Sequence, residues 1–297
     1  MDVMRRNYMV VMAGIVSIFG VNVSMAAEQV VPAIHIKHTI DNASLREMIQ
    51  ARRNLCIQEK DVLLNVKKSG SAAWPAMIAA MKKKKPNYDV DAKTAAEPDW
   101  TKVAVDSEEE YFYGEMYASR KEKTKYKMSE DGKCEVIETR LKSENLDDGK
   151  FRYFVDLTRG KATKYMSKAA SQKQSDEILQ REFGKNPQVS EAMQSAFAKA
   201  DISALNDAVK EAGSEKVTDN QTCNYKILAN DAKTRLCYWS VMSYYPSTLE
   251  RPIILKSIIS FGQTSNTKQA VSFKLSKSFK RDVFSPPDSI KIEDRTK

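Results

Sequence analysis

Histidine is nearly missing from this chain of 297 residues, which has only His35 and His38. A Ser-His-Asp site would be hard to assemble from two histidines that stand so close together near the N-terminus. The sequence also has no GxGxxG, GxxxxGKS/T, GxSxG or HExxH motif, the usual signs of nucleotide binding, serine hydrolysis and zinc proteolysis. These absences predict a protein that is not an enzyme and that uses no metal ion or other cofactor. A hydrolase with a pair of carboxylates is the alternative that the sequence leaves open.

Long apolar runs are also scarce, and the one that stands out lies at the N-terminus, from Tyr8 to Val23. It follows two arginines, and the small residues Ser24 and Ala26 come directly after it. A membrane-spanning helix needs about 20 apolar residues, and this run is shorter. The pattern therefore predicts a signal peptide over residues 1–26, cleaved near Ala26, and a periplasmic or otherwise secreted protein. A retained N-terminal anchor is the alternative.

Four cysteines follow that segment, and none belongs to a CxxC pair, so a redox or zinc role is not expected. Cysteines in an exported chain are typical of disulfides, and three pairings are possible. A β-hairpin centred at Asn230 would place Cys223 and Cys237 directly opposite each other, which favours that pair. Cys56 and Cys134 would then pair by elimination. Closing the hairpin loop would stabilise the fold by about 3 kcal/mol.

Basic residues outnumber acidic residues, which gives a formal net charge of +9 at pH 7. The contents of 42% hydrophobic and 29% charged residues are typical of a globular protein rather than a disordered one. Nucleic acid is not an expected partner of an exported chain. An anionic membrane surface or an acidic envelope protein fits a basic protein better, although a basic surface also serves solubility alone.

Residues 27–104 are predicted to form an N-terminal helical extension and linker. The first part, residues 27–43, is predicted to be extended, and Ser44 with Glu47 forms a capping box that starts a helix. That helix is predicted to end near Glu59. Its predicted buried face consists of residues that recur at helical spacing: Leu45, Met48, Ile49, Arg52, Leu55 and Cys56.

Residues 62–66 fit either a strand or a continuation of that first helix. A second, short helix is predicted over Trp74–Lys85, with Pro75 at its first position. Its apolar residues stand beside four consecutive lysines, a combination that favours either a membrane surface or a solvated helix end. Residues 86–104 are predicted to be a connecting loop.

Residues 105–297 are predicted to form the β-rich part of the chain. Apolar and polar residues alternate with a period of two from Val105 to Met166, which predicts a meander of about five strands. One strand carries a basic surface of four lysines on a single face: Lys121, Lys123, Lys125 and Lys127. These lysines would face an acidic partner or, more simply, solvent, on an exposed strand where they prevent edge pairing.

The alternation breaks over residues 171–213, where apolar residues recur at helical spacing. We predict an insertion of two or three short amphipathic helices, with Gly213 in the position that follows a helix. Strands resume with the cysteine hairpin. The next strand, Ile253–Phe261, is apolar on both sides and is therefore predicted to be central, and Val271–Leu275 forms a final strand.

Three features of the second half together resemble the periplasmic lipoprotein-carrier (LolA-like) half-barrel group and its secreted relatives. The first is Cys223-Asn224-Tyr225-Lys226 leading to Cys237-Tyr238-Trp239 across a hairpin. The second is the paired-aliphatic strand at Ile253–Phe261, and the third is the ending from Val271 through Val283-Phe284-Ser285-Pro286-Pro287. The resemblance covers roughly residues 105–290, and no functional residue of that group can be placed on this chain one by one.

The resemblance implies an α+β fold: a curved antiparallel sheet, or open half-barrel, with the N-terminal helix and with the helical insertion packed on its concave face. Such a cavity would accept an acyl chain or another hydrophobic group. We therefore predict a carrier or chaperone for a lipid, lipoprotein or hydrophobic ligand, with an accessory or assembly subunit of a cell-envelope complex as the alternative. The apolar residues predicted to contact the ligand are Phe112, Met116, Met193, Phe197, Leu205 and Trp239.

Overall fold

The structure is a computed structural model that describes residues 31–167, 171, 209–218, 221–228, 231–247 and 251–296. Two predictions from the sequence fall on residues outside these ranges. They are the signal peptide over residues 1–26 and nearly all of the helical insertion, including Met193, Phe197 and Leu205.

The described residues contain fourteen strands, whose bounds are β1 Ala33–Asn42, β2 Val105–Tyr113, β3 Met116–Met128, β4 Val136–Asp147, β5 Phe151–Asp156, β6 Lys161–Met166, β7 Val209–Thr218, β8 Gln221–Leu228, β9 Asp231–Trp239, β10 Tyr244–Tyr245, β11 Arg251–Pro252, β12 Ile254–Phe261, β13 Thr264–Ser276 and β14 Lys291–Asp294. Twelve of them pair into one large, curved sheet in the order β14-β6-β5-β4-β3-β2-β1-β13-β12-β9-β8-β7. Neighbours are antiparallel except β14 and β6, which are parallel, and β10 pairs with β11 separately. With two helices beside this open sheet, the predicted α+β class is confirmed.

Strand β1 lies at the centre of the sheet, between β2 and β13. It connects the meander β2–β6 to the strands formed by the second half of the chain. The extended conformation predicted for residues 27–43 is present in β1. The sequence of this segment did not, however, predict that the strand lies in the middle of the sheet. Residues 32–297 form one compact unit.

Alternation along β1 defines two faces of the sheet. Ile34, Ile36 and His38 are each at most 1% exposed, and we call their side the His38 face. His35 and Lys37 point to the opposite side, the His35 face, and are more exposed. Because paired residues of neighbouring strands share a face, the register assigns the side chains of β2, β3 and β13 to one face or the other.

The C-terminal segment covers part of the His35 face. After β13 the chain forms a short 3-10 helix, Arg281–Phe284, and the Phe284 ring is fully buried against Leu146, Tyr153 and Val155. The chain then adds β14 to the far edge of the sheet beside β6. One connection therefore runs from the middle of the sheet to its edge and supplies the apolar cover for the meander.

Helix α1 spans Ala43–Lys68 and differs from its prediction at both ends. Asn42, not Ser44, is the N-cap, because its side chain accepts a hydrogen bond from the Leu45 amide. The helix continues through residues 62–66, which resolves the open alternative in favour of helix. The buried face of α1 also differs from the predicted one. The residues that are buried are Ile49, Arg53, Cys56, Lys60 and Leu63.

Two charged residues on that buried face hold the loop over residues 86–104 against α1. The Arg53 guanidinium donates a hydrogen bond of 2.9 Å to the Ala95 carbonyl, and the Lys60 ammonium donates to the Ala92 carbonyl. Irregular backbone needs partners for its carbonyls when it is buried, and these side chains supply them. A Cys56–Cys134 disulfide also joins α1 to the connection between β3 and β4. Helix α2, Trp74–Lys84, agrees with its prediction and has Pro75 in its first turn.

The prediction that Gly213 follows a helix is wrong, because Gly213 lies inside strand β7. It adopts a φ of +96° at a shift in the register between β7 and β8. A glycine with positive φ serves a β-bulge as well as a helix end, so this residue type alone does not distinguish the two.

The predicted Cys223–Cys237 disulfide is present across the β8–β9 hairpin, but the two residues are not directly opposite. Cys237 pairs with Tyr225, and Cys223 pairs with Trp239, so the disulfide joins a diagonal pair. A register shift between Ile227 and Leu228 displaces the strands relative to a regular hairpin. Counting residues from the turn could not detect this irregularity.

Candidate functional site

The centre of the His38 face holds a group of charged residues that we call the ionic cluster: His38, Glu108, Glu110, Lys121 and Lys268. Antiparallel pairing places His38 opposite Glu108 and Glu108 opposite Lys121, while Lys268 comes from β13. Lys268 Nζ lies 2.8 Å from Glu108 Oε2 and 3.0 Å from Glu110 Oε2. Lys121 Nζ lies 2.9 Å from Glu108 Oε1. Two carboxylates and two ammonium groups therefore balance each other.

Hydroxyl groups add further hydrogen bonds to the two carboxylates of the ionic cluster. Ser119 donates a hydrogen bond of 2.6 Å to Glu108 Oε1, and Tyr117 donates one of 2.7 Å to Glu110 Oε1. Glu108 is only 4% exposed, so an unpaired charge at this position would cost several kcal/mol. Burial raises the pKa of Glu108, but Lys268, Ser119 and Lys121 outweigh burial and lower that pKa to about 2.

His38 is neutral in this cluster at neutral pH. Burial, followed by the charge of Lys268, lowers its pKa to about 4. Because Nε2 lies 3.0 Å from the Ile254 carbonyl oxygen, which can only accept, the ring proton is on Nε2. Nδ1 is 3.3 Å from Glu110 Oε2 but makes no hydrogen bond with it, as expected of two acceptors. The ionic cluster thus has internal partners for its charges and is a structural element of the sheet.

A groove with a different balance of residues lies between α1 and the end of the β3–β4 hairpin, and we call it the α1 groove. Its volume is about 270 Å³. The residues that line it are Leu45, Met48, Ile49 and Arg52 of α1, and Thr124, Lys125, Tyr126, Lys127, Met128 and Val136 of the hairpin. Ile49 is 4% exposed and packs with Leu45, Tyr126 and Val136 as the apolar floor.

Three exposed cations, Arg52, Lys125 and Lys127, are also among the residues that line the groove. Alternation along β3 directs the Lys125 and Lys127 side chains to the face opposite to Tyr126, so these two lysines border the groove from the other side of the strand. Lys127 has an ion pair of 3.0 Å with Glu130, which is itself exposed and therefore weak. The α1 groove thus combines apolar surface with an excess of positive charge. An apolar chain that ends in an acidic group would satisfy both.

The walls of the α1 groove are fixed by hydrogen bonds and by a covalent bond. The Ala104 amide donates a hydrogen bond of 2.6 Å to the Tyr126 hydroxyl, and Arg46 Nε donates one of 3.1 Å to the Val103 carbonyl. The Cys56–Cys134 disulfide ties α1 to the residues that follow β3. Separation of helix and hairpin would therefore require breaking of a covalent bond.

A larger, polar cleft of about 520 Å³ opens on the His35 face and shares Thr124 and Tyr126 with the α1 groove. Its charges are of both signs, and one carboxylate is paired: Glu122 lies 3.3 Å from the nitrogen atoms of both Arg140 and Lys142. No set of three or more His, Cys, Asp or Glu residues in the described ranges could hold a metal ion. The lining of this cleft has more carboxylates than cations, namely Asp99, Asp106, Glu122 and Glu138 against Lys102 and Arg140, so its excess charge is negative, opposite to that of the α1 groove.

The described residues of the predicted ligand site do not line the α1 groove. Phe112 pairs with Tyr117 and Met116 pairs with Tyr113, two adjacent pairs, so Phe112 and Met116 point to opposite faces of the sheet. Phe112 is 1% exposed and contacts the Tyr117 and Tyr245 rings. Trp239 is 4% exposed, its ring packs against that of Phe273 with the centroids 4.8 Å apart and the planes tilted by 45°, and its Nε1 donates a hydrogen bond to Gln221.

The predicted basic surface divides between the two sites. Lys121 belongs to the ionic cluster, whereas Lys125 and Lys127 line the α1 groove. Strand β3 pairs with β4 over Tyr117–Met128 but with β2 only over Met116–Glu122. Lys121 therefore lies inside the sheet, whereas Lys123, Lys125 and Lys127 lie where β4 is the one neighbouring strand among the described residues. The lysine pattern was the one signal in the sequence that lay near the α1 groove. The apolar floor of the groove could not be predicted in the same way, because it forms where α1 meets a hairpin that is distant in the chain.

No protein-family model and no curated protein matches this chain. The resemblance to lipoprotein carriers therefore stays a prediction from the residues. In the described part of the chain no helix is long and apolar enough to cross a membrane. The two disulfides indicate an oxidising compartment.

Proposed function

We propose that the protein is an exported carrier that binds an anionic amphiphile, an apolar chain with an acidic end group, in the α1 groove. The observation that supports this proposal is the apolar floor of Leu45, Ile49 and Val136, which the cations Arg52, Lys125 and Lys127 border. Apolar pockets with a few well-placed polar groups are the usual form of small-ligand sites.

The volume of the groove favours a ligand with one chain. At about 270 Å³ it lies at the lower end of the range of ligand pockets, below what a lipid with two acyl chains would fill. Roughly six buried methylene groups would contribute about 5 kcal/mol, and contact with the cations adds about 1 to 2 kcal/mol. The expected dissociation constant is therefore in the micromolar range. Reversible binding of this strength suits a carrier that must also release its ligand.

The alternative role, an accessory subunit of an envelope complex, draws support from the apolar residues exposed on α1. Arg52 and Glu59 stand beside those residues and have opposite charges, so each could pair with the other residue in a second copy of this chain. This favours a second copy of the chain over a different protein as the partner.

The test is a calorimetric titration of the purified, oxidised protein with a twelve-carbon carboxylate and, separately, with the alcohol of the same chain length. We expect saturable binding of the carboxylate and binding of the alcohol that is weaker by about ten-fold, because the alcohol lacks the charge. The double variant K125E/K127E should weaken carboxylate binding by at least about ten-fold. Lysines 82 and 83 of α2 are exposed and distant in the chain, so K82E/K83E is the control with the same change of charge.

Two results would contradict the proposal. The absence of saturable binding of either ligand would remove the α1 groove as a lipid site. Equal loss of affinity in K125E/K127E and K82E/K83E would show that the net charge of the protein, rather than the groove, attracts the ligand.

A further inference from the structure

Helix α1 has a second apolar surface, away from its buried residues. Met48, Leu55 and Val62 are 43%, 57% and 55% exposed. They stand seven residues apart, which is close to two helical turns, so they align along about 21 Å of the helix. We call these three residues the α1 stripe. Large apolar side chains aligned in this way on an exposed helix are typical of a contact surface.

The α1 stripe is separate from the face that packs on the protein. The buried residues Cys56 and Leu63 each follow a stripe residue directly, and one position turns an α-helix by about 100°. A partner could therefore pack on the stripe without displacing the contacts that α1 makes with its own chain.

Charged residues stand on one side of the stripe and uncharged residues on the other. Arg52 and Glu59, also seven residues apart and both exposed, lie on the side nearer to the buried face. Ala51 and Gln58, exposed as well, lie on the opposite side. The positive charge is thus near one end of the stripe and the negative charge near the other.

We propose that α1 binds α1 of a second copy of this chain, with the two helices antiparallel about a two-fold axis near Leu55. In that arrangement the same sides of both helices meet with their directions reversed. Arg52 then lies beside Glu59 of the partner subunit, and Glu59 beside Arg52 of the partner subunit. Leu55 packs on Leu55 of the partner subunit.

A parallel pair would not satisfy the same residues. A two-fold axis along the helices would bring the charged side of one helix against the Ala51 and Gln58 side of the other. Both charges of each copy would then lack a partner across the seam. The positions of Arg52 and Glu59 therefore select the antiparallel arrangement.

The dimer should be weak and reversible. One short helical seam buries less surface than the 1,200 to 2,000 Å² that is typical of stable interfaces, so we expect a dissociation constant of about 10 to 100 µM. Met48 and Arg52 belong to both surfaces, because they also line the α1 groove. Leu55 and Glu59 do not line the α1 groove, so variants at these positions test the dimer alone.

Sedimentation equilibrium of the oxidised protein, over about 5 to 200 µM, tests this proposal. Wild type should show a monomer–dimer equilibrium, and L55D should be monomeric throughout because two carboxylates would meet at the axis. R52E and E59R should each weaken the dimer by about ten-fold or more, since each places like charges together twice. The double variant R52E/E59R restores opposite charges and should return to within about three-fold of wild type.

Asp61 is exposed on α1 away from the stripe, so D61R is the control that makes the same change of charge as E59R. It should leave the dimer unchanged. Circular dichroism of each variant establishes that the fold is intact. A wild-type chain that stays monomeric at the highest concentration would overturn the proposal. A double variant that dimerises no better than either single variant would overturn the antiparallel arrangement.

Discussion

The ionic cluster and the α1 groove use the same residue types in opposite ways. In the ionic cluster, Lys268 and Lys121 face Glu108 and Glu110 at hydrogen-bonding distances, and hydroxyl groups add further hydrogen bonds. In the α1 groove, lysine and arginine border an apolar floor and are in excess over carboxylates. Charges that have partners stabilise the sheet, and charges without equivalent partners are free to bind a ligand.

This difference predicts how each site should respond to substitution. Loss of one charge from the ionic cluster leaves a buried opposite charge unpaired, so stability should fall steeply. Loss of one exposed charge from the α1 groove removes little from the folded state, so binding should change while stability does not. Stability and binding are therefore separable readouts for the two sites.

The largest effect is expected for Lys268→Met. Glu108 and Glu110 would remain close together, with Glu108 buried and without its main counter-ion, so we expect a loss of about 3 to 5 kcal/mol in the free energy of unfolding. Urea denaturation followed by circular dichroism measures this loss. Lys274 is exposed on the same strand, and Lys274→Met is the control, with an expected change below about 0.5 kcal/mol. Equal effects of the two substitutions would contradict a structural role for the ionic cluster.

The two disulfides should differ both in how much they stabilise the fold and in whether they support ligand binding. The Cys56–Cys134 bond encloses a chain separation of 78 residues, compared with 14 for Cys223–Cys237, so the chain-entropy model assigns it the larger stabilisation, about 4.5 against about 3 kcal/mol. C56A/C134A should therefore lower the free energy of unfolding more than C223A/C237A does. C56A/C134A should also weaken ligand binding, because the Cys56–Cys134 bond joins the walls of the α1 groove and the Cys223–Cys237 bond does not. Intact binding in C56A/C134A would argue against this location of the site.

These predictions also show what the sequence could and could not reveal. The Cys223–Cys237 bond, helix α2 and the meander follow from local patterns, namely a hairpin, a proline at a helix start and a period of two. The ionic cluster could not be predicted, because His38, Glu108 and Lys268 lie on three strands whose register the sequence does not fix. The central place of β1 depends on pairing with a strand more than 200 residues away. Local patterns carry no information on such pairing.

Acidification should destabilise the protein through His38 and then through Glu108. The pKa of His38 is about 4 in the folded protein, below its reference value of 6.5, so the unfolded chain binds the proton more readily. This contribution is complete above pH 6.5 and is lost as the pH falls towards 4. The pKa of Glu108, lowered from 4.5 to about 2, adds a further loss below pH 4.5.

We expect the His38 contribution to be roughly 2 to 3 kcal/mol. Urea denaturation between pH 7 and pH 4 measures it, with His38→Gln as the comparison because the glutamine amide still donates to the Ile254 carbonyl. The slope of stability against pH should be smaller in this variant. An unchanged slope would assign the pH dependence to other groups.

The smallest effect on stability is expected for Lys125→Ala. This side chain is exposed at the α1 groove, so the free energy of unfolding should change by less than about 0.5 kcal/mol. Binding of the twelve-carbon carboxylate should nevertheless weaken several-fold. A loss of stability as large as that in Lys268→Met would mean that the two sites do not differ as described.

The most direct test of the central claim is photo-crosslinking with a single-chain carboxylate that has a photoreactive group along its chain, followed by peptide mass spectrometry. The account predicts labels on Met48, Met128 and Val136, which line the α1 groove. An excess of the unlabelled carboxylate should prevent this labelling. Labels on Phe112 or Trp239 in place of the groove residues would contradict the account and would support the ligand site that the sequence alone predicted.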